Sequence, residues 1–211
     1  MMKKIILVSL ITLAGIGTAF SQSIWTLSYE PATPMGDMRS FIESTTFRGI
    51  SGSAKFFVSD KITVGLDIQW TGFYEKDERY TWDLDGSAVT ATAWKEFYIW
   101  PLYANVNYHF LNEEDNRLLP YAGLNIGVAY IDQNAQVGTY NFKDKSWKFA
   151  MAPEVGTLLP MGIEKSWGFN FKLRYQMIFY NTNDINLLHF LNYSFGVYWK
   201  IHPRGEKYEI L

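Results

Sequence analysis

The chain has 211 residues, 18% of them aromatic, no cysteine and a net charge of −2. Hydrophobic residues make up 48% of it while mean hydropathy is −0.10, so apolar and polar residues are interleaved rather than segregated. One domain is expected at this length. The composition excludes a disordered chain, which is poor in aromatics, and gives no basic footprint for nucleic acid. A helical membrane protein is excluded too, since it needs repeated apolar runs of about 18 residues or more.

The single long apolar run comes first. Met1-Met2-Lys3-Lys4 precedes Ile5 to Phe20, and Ala19-Phe20-Ser21 stands before Gln22. Basic start, apolar stretch and small residues at −3 and −1 describe an export signal, residues 1–21, removed after transport. Gly15 and Gly17 disfavour an uncleaved anchor helix, and no cysteine follows to carry a lipid anchor. Losing this segment deletes two lysines and no acid, which moves the net charge from −2 to −4. The exported chain divides into residues 22–202, read as one membrane domain, and a short periplasmic tail, 203–211.

From Gln22 onward the period is two. Trp25–Tyr29 and Thr45–Val58 are weak strand patterns, and in the second the small residues Gly49, Ser51, Gly52, Ser53 and Ala54 leave the phase open. Ile50, Ala54, Phe56 and Val58 are expected outward there. Ile62 to Trp70 is clear: Ile62, Val64, Leu66, Ile68 and Trp70 share one face, and Thr63, Gly65, Asp67 and Gln69 the other. Leu102–Phe110, Leu119–Ile131, Trp147–Leu159, Trp167–Phe179 and Leu191–Trp199 follow, which makes eight strands. In the seventh, Trp167, Phe169, Phe171, Leu173, Tyr175, Met177 and Phe179 oppose Gly168, Asn170, Lys172, Arg174 and Gln176. Seven matches to a 180° period are incompatible with a helix burying one stripe.

Connections at 31–44, 75–90 and 132–146 are long and polar and are expected as loops. Those at 59–61, 111–118 and 160–166 are short or modest. Alternating long and short connections between strands of about 9–11 residues describe an all-β, eight-stranded antiparallel up-and-down transmembrane barrel. A soluble barrel would carry its apolar face inside, but the large aromatics of 167–179 alone overfill an eight-stranded interior. The aromatics also sit near strand ends, at headgroup depth. Trp25, Tyr108, Phe110, Trp167 and Trp199 are expected on one rim. Tyr29, Trp70, Tyr98, Trp100, Tyr130, Trp147 and Phe179 are expected on the other.

Pro101-Leu-Tyr-Ala-Asn-Val-Asn-Tyr-His-Phe110 and Pro120-Tyr-Ala-Gly-Leu-Asn-Ile-Gly127 resemble the fourth and fifth strands of small outer-membrane barrels of the OmpA/OmpX/OmpW-like and "outer membrane protein beta-barrel domain" families. Phe149-Ala-Met-Ala-Pro-Glu-Val-Gly156 is similar to the following strand of the versions common in Bacteroidetes, and cleavage before a Gln fits that group. The resemblance covers most of residues 23–201. Ser194-Phe-Gly196-Val-Tyr-Trp199-Lys-Ile201 resembles the C-terminal signal read by the barrel assembly machinery, with Gly196, Trp199 and Ile201 in its key places. It departs from that pattern in ending on Ile, followed by a tail. The resemblance implies an outer-membrane location in a Gram-negative cell and contact with lipid and lipopolysaccharide. It implies the assembly machinery as a transient partner, with an envelope protein as a further candidate. Its members include adhesins, anchors and solute conduits, so it says little about activity.

The residues that carry chemistry are the inward polar ones: Lys55, Asp67, Gln69, Asn105, Asn107, His109, Asn125, Glu154, Lys172, Arg174, Gln176, Asn192, Tyr198 and Lys200. Glu154 is expected beside Lys172 and Arg174 on the neighbouring strand. Buried charges must be paired, so these residues are expected to fill the lumen rather than line a solute path. Catalysis is not expected. Tyr175-Gln176-Met177-Ile178 lacks the His-x-Ser pair of the lipid A deacylases. His189 and Ser194, five apart, face opposite sides of a strand and cannot form a nucleophile–base pair. Three dispersed histidines and no cysteine offer no transition-metal spacing, and Asp83-Leu-Asp85-Gly86 lacks the later Glu of a calcium loop. No cofactor is implied. Tyr80, Trp82, Tyr140 and Phe142 in the long connections are expected to extend the strands beyond the bilayer, with a contact surface as the alternative.

Overall fold

Alternation dictates pairing: a ribbon with one apolar and one polar face must hide its backbone groups in neighbours, and closure removes the last open edge. The computed structural model describes residues 22–84, 87–111, 117–137, 140–162, 165–182 and 185–201. The strands are β1 (Ser23–Tyr29), β2 (Ala32–Met35), β3 (Gly49–Ser59), β4 (Ile62–Leu84) and β5 (Ser87–His109). They continue with β6 (Leu119–Val137), β7 (Tyr140–Met161), β8 (Trp167–Thr182) and β9 (Ile185–Ile201), and one turn of helix, α1 (Gly36–Arg39), follows β2. Every pairing is antiparallel, and β9 returns to β1. β1 and β2 lie on β9 in one continuous register, so they form a single interrupted strand and the ring has eight. The export segment 1–21, the tail 203–211 and Asp85-Gly86 lie outside the described residues.

In β3 the outward phase is the expected one. Ile50 and Val58 are exposed, while Ser51, Ser53 and Lys55 are buried. A bulge between Phe57 and Ser59 then resets the register against β4.

Two expectations about connections are corrected. The described residues of 75–90 and 132–146 are strand rather than loop: β4 runs on to Leu84 and β5 begins at Ser87, β6 runs on to Val137 and β7 begins at Tyr140. β4 and β5 have 23 residues each, against about 9–11 needed to cross the hydrocarbon. Beyond the bilayer a ladder needs no apolar face, only cross-strand pairs. Lys95 meets Asp77 at 2.9 Å and Lys145 meets Asp132 at 3.0 Å. Asn134 donates to Glu96 at 3.3 Å, and the Tyr74 and Trp94 rings lie 6.1 Å apart. The hydrogen bond to Asp132 also holds the Lys145 ammonium above the usual lysine range. Tyr80, Trp82, Tyr140 and Phe142 all fall within these strand extensions.

The connection 31–44 is not a solvated loop either. After β2 it turns inward through Gly36, at φ +48°, and α1 enters the mouth of the barrel. Met38 and Ile42 are fully buried there with Phe73, Phe97, Ile99, Ile131, Tyr180, Leu188 and Phe190. Glu75 accepts from the backbone N–H of Glu43 (2.6 Å) and Ser44 (3.0 Å), which ties down the far end of the segment. The outer half of the interior is therefore apolar. Not all aromatics belong to the outward band.

A smaller apolar cluster, Ile24, Leu119, Tyr121, Leu158 and Tyr198 with Phe57 against it, lies toward the opposite end. The charged residues lie between the two.

Candidate functional site: the lumenal charge layer

The inward phases of β3, β4, β7 and β8 bring Lys55, Asp67, Glu154, Lys172 and Arg174 together, all buried. Arg174 is the hub. Its Nη1 and Nη2 each lie 2.8 Å from an oxygen of Asp67, in the bidentate geometry that suits a guanidinium. Nη2 also reaches Glu154 Oε2 at 2.8 Å, and Nε donates to the same oxygen at 2.9 Å. Lys55 Nζ stands 3.2 Å from Glu154 Oε1, and Lys172 Nζ 3.6 Å from Asp67.

A sixth charge completes the layer and was not among the sequence candidates. Glu30 lies between β1 and β2 and is fully buried. Its Oε1 accepts from Lys172 Nζ at 2.9 Å, from Ser51 Oγ at 2.6 Å and from Ser194 Oγ. Three carboxylates thus meet three cations, and the layer is neutral. Glu30 keeps the even-numbered inward phase of Ile24, Thr26 and Ser28. Extending that alternation one step past Tyr29 finds it; the following proline masks the continuation.

Neutral groups finish the layer. Gln69 accepts from Arg174 (3.3 Å) and from Gln176 (2.6 Å), and Tyr103 donates to Gln176. Asn125 donates to Glu154 at 3.0 Å and to the Ala152 carbonyl at 2.9 Å. With its amide turned to suit both neighbours, nitrogen 3.1 Å from Glu154 and oxygen 2.6 Å from Lys55, Asn107 bridges that pair. Asn105 and Asn192 are buried in the lumen without a partner among the described residues. Inward glycines make the room: a Cβ on Gly156 would stand 2.6 Å from the Tyr121 ring, whose hydroxyl donates to Asn170 at 3.0 Å. His109 faces inward below the layer, 3.3 Å from Thr63 Oγ1, and Tyr198 and Lys200 are buried near it on β9.

The outward residues form two belts. Trp25, Trp199 and Trp167 are direct neighbours across β1, β9 and β8. Tyr108 stands at the same end, its ring 5.4 Å from Phe110. At the other end Trp100, Tyr130 and Trp147 are cross-strand neighbours with ring separations of 5.6 and 5.2 Å, and Trp70 is half-buried opposite Ile50. On β9, Gly196 faces inward against Ser28, while Trp199 and Ile201 are exposed outward. His189 and Ser194 do lie on opposite faces: Ser194 points into the lumen, whereas His189 Nδ1 meets the Tyr175 hydroxyl at 2.6 Å on the outer wall. No metal-ligand cluster occurs among the described residues.

No family model and no curated protein matches the chain. Solved structures do. Neisserial surface protein A superposes with a TM-score of 0.56 at 15% identity, over 85% of this chain and 96% of that one. The attachment invasion locus protein Ail of Yersinia pestis gives 0.50 at 9% identity, over 86% and 99%. The N-terminal β-barrel domain of Pseudomonas aeruginosa OprF gives 0.46 at 13%, over 85% and 97%. At these identities the first two likenesses concern the fold alone, which is that of the small eight-stranded outer-membrane barrels.

Proposed function

We propose that a chain with this fold serves in the outer membrane of a Gram-negative cell as a structural or surface-binding barrel with a closed lumen. The observation that carries this reading is the neutral layer of Glu30, Asp67, Glu154, Lys55, Lys172 and Arg174, buried beneath the apolar cluster that holds Met38 and Ile42. A conduit for ions needs charged groups that face water and bind weakly enough to release. Here each charged group is already paired with another side chain.

In this placement Trp25, Tyr108, Trp167 and Trp199 lie at one headgroup level and Trp70, Trp100 and Trp147 at the other. Tyr108 and Trp100 are eight residues apart on β5, about 26 Å of extended chain, which at the tilt of barrel strands is about 20 Å of height, most of an outward apolar band about 25 Å tall. Leu66, Ile68, Leu173 and Val155, all exposed, belong to that band. Gly196, Trp199 and Ile201 serve as the assembly signal, residues 1–21 as the cleaved export signal, and lipid and lipopolysaccharide are the standing contacts. The strand extensions of β4 to β7 above the bilayer are the surface available to an envelope or extracellular partner.

Planar-bilayer recording tests the closed lumen. The purified protein and its Glu154→Gln variant are both expected to give no stable openings. Stable openings in the parent whose ion selectivity changes in Glu154→Gln would replace this reading with that of a narrow solute conduit. Altered acylation of lipid A on incubation with the protein would instead make it a lipid-modifying enzyme.

A further inference from the structure

Seven of the eight contacts in the ring join strands that follow each other along the chain; the eighth joins its two ends. β1 and β2 meet β9 over Ser23–Tyr29 against Phe195–Ile201 and Ala32–Met35 against His189–Asn192. At the middle of this seam the ladder is incomplete. The Tyr193 N–H donates to the Pro31 carbonyl at 2.9 Å, but Pro31 has no N–H to return the bond. Pro101 and Pro153 also lie inside strands, yet their neighbours are tied to them through the chain.

The wall beside this point is thin. Gly196 and Gly49 face inward, and outside them runs an apolar groove of about 500 Å³, lined by Leu27, Tyr29, Phe171, Phe195 and Val197 among others. Behind the groove stands Glu30, adjacent to Pro31. Through one oxygen its carboxylate holds Ser194 of β9, Lys172 of β8 and Ser51 of β3. The remaining ion pairs of the layer join only β3, β4, β7 and β8. Glu30 is thus the point at which the first strand enters the buried network.

We infer that the β1/β2–β9 seam is a lateral closure of the barrel, latched from inside by Glu30 and opening toward the membrane where the ladder lacks its rung. The latch is electrostatic on the inner side and weak on the outer side. Loosening it separates the chain ends while leaving the six hairpin-linked strands between them paired. Glu30 here is a positioning residue, acting through Ser194 on the adjacent β9 and Lys172 on β8 beyond it.

Amide exchange in lipid nanodiscs separates local opening from general loss of stability. In Glu30→Gln the amides of β1 and of β9 from Phe195 to Ile201 are expected to exchange about tenfold faster or more, with β5 and β6 unchanged. Ser194→Ala, which removes only the cross-seam hydroxyl, is expected to act the same way more weakly, and serves if Glu30→Gln fails to assemble. Leu27→Cys with Val197→Cys places thiols on directly opposed residues, about 5.5 Å apart at Cα in such a pair and within disulfide reach. The chain has no other cysteine. Oxidation of that pair is expected to restore slow exchange in the latch variants. Exchange that rises equally in β5–β6, or stays unchanged at the seam in both variants, overturns the inference.

Discussion

Replacing Arg174 with Met tests whether the lumenal layer behaves as a buried, interdependent unit. The side chain is fully buried and serves two carboxylates at once, Asp67 at 2.8 Å and Glu154 at 2.8 Å. Without it, Asp67 keeps only Lys172, at 3.6 Å, and Glu154 keeps Lys55, at 3.2 Å. The layer then carries one uncompensated negative charge between two apolar clusters. Removing one partner of a buried pair costs about 3–5 kcal/mol, far more than the net worth of the pair, because the charge left behind stays desolvated. Since two carboxylates lose a partner, the upper part of that range is expected. Adding Asp67→Asn restores neutrality, with Lys55–Glu154 and Lys172–Glu30 still paired. The double variant should therefore be about 1–3 kcal/mol more stable than the sum of the two single losses. Urea unfolding in lipid vesicles, followed by tryptophan emission, measures all three. A cost for Arg174→Met of about 1 kcal/mol or less, the range of solvent-exposed pairs, would refute the sealed layer. Strict additivity of the two substitutions would do the same.

Three other outcomes follow from the same geometry. Leu173→Arg puts a charge on the outward wall at mid-span and should cost about 2–4 kcal/mol in vesicle unfolding; no loss would remove Leu173 from the lipid face. Met38→Ala with Ile42→Ala empties the apolar mouth and should cost about 2–5 kcal/mol per side chain. Planar-bilayer recordings of that variant should stay silent, because the charge layer beneath it is untouched. Gly156→Val drives a side chain into the Tyr121 ring and should cost about 1–3 kcal/mol, with Tyr121 resonances shifted in NMR spectra; an unshifted ring would contradict the crowding at that wall.

Much of the architecture is legible in the sequence, because a period of two is a local property. Ile62, Val64, Leu66 and Ile68 against Thr63, Asp67 and Gln69 assign the two faces of β4 without reference to any neighbour. The same alternation places Glu154, Lys172 and Arg174 in the interior and Trp167 and Trp199 outside it. Strand ends were less legible. Above the bilayer, water satisfies backbone groups as well as a partner strand does, so Glu75 to Arg79 and Asp132 to Asn134 have the composition of a loop while β4 and β6 continue through them. The inward fold of 36–46 was hidden for a related reason. Three apolar residues among eleven, Met38, Phe41 and Ile42, set no period, and only the space left between Phe73, Phe97 and Leu188 gives them a destination.

By itself, the order of residues determined an eight-stranded membrane barrel and, along its clearly alternating strands, the face each side chain takes, both of which depend on spacing along one strand. Which carboxylate meets which cation was decided only by tertiary structure, since it depends on the stagger of strands across the lumen: Lys55 meets Glu154 from the far wall, 99 positions away. Glu30 shows the division most clearly. Its local context, Tyr29-Glu30-Pro31, has the composition of a turn, which masks the alternation that points it inward, and only closure of the ring brings it to Lys172 and to Ser194, 164 positions along the chain. Closure joins residues that no local pattern relates, which is why the seam is the part of this barrel that sequence could not describe.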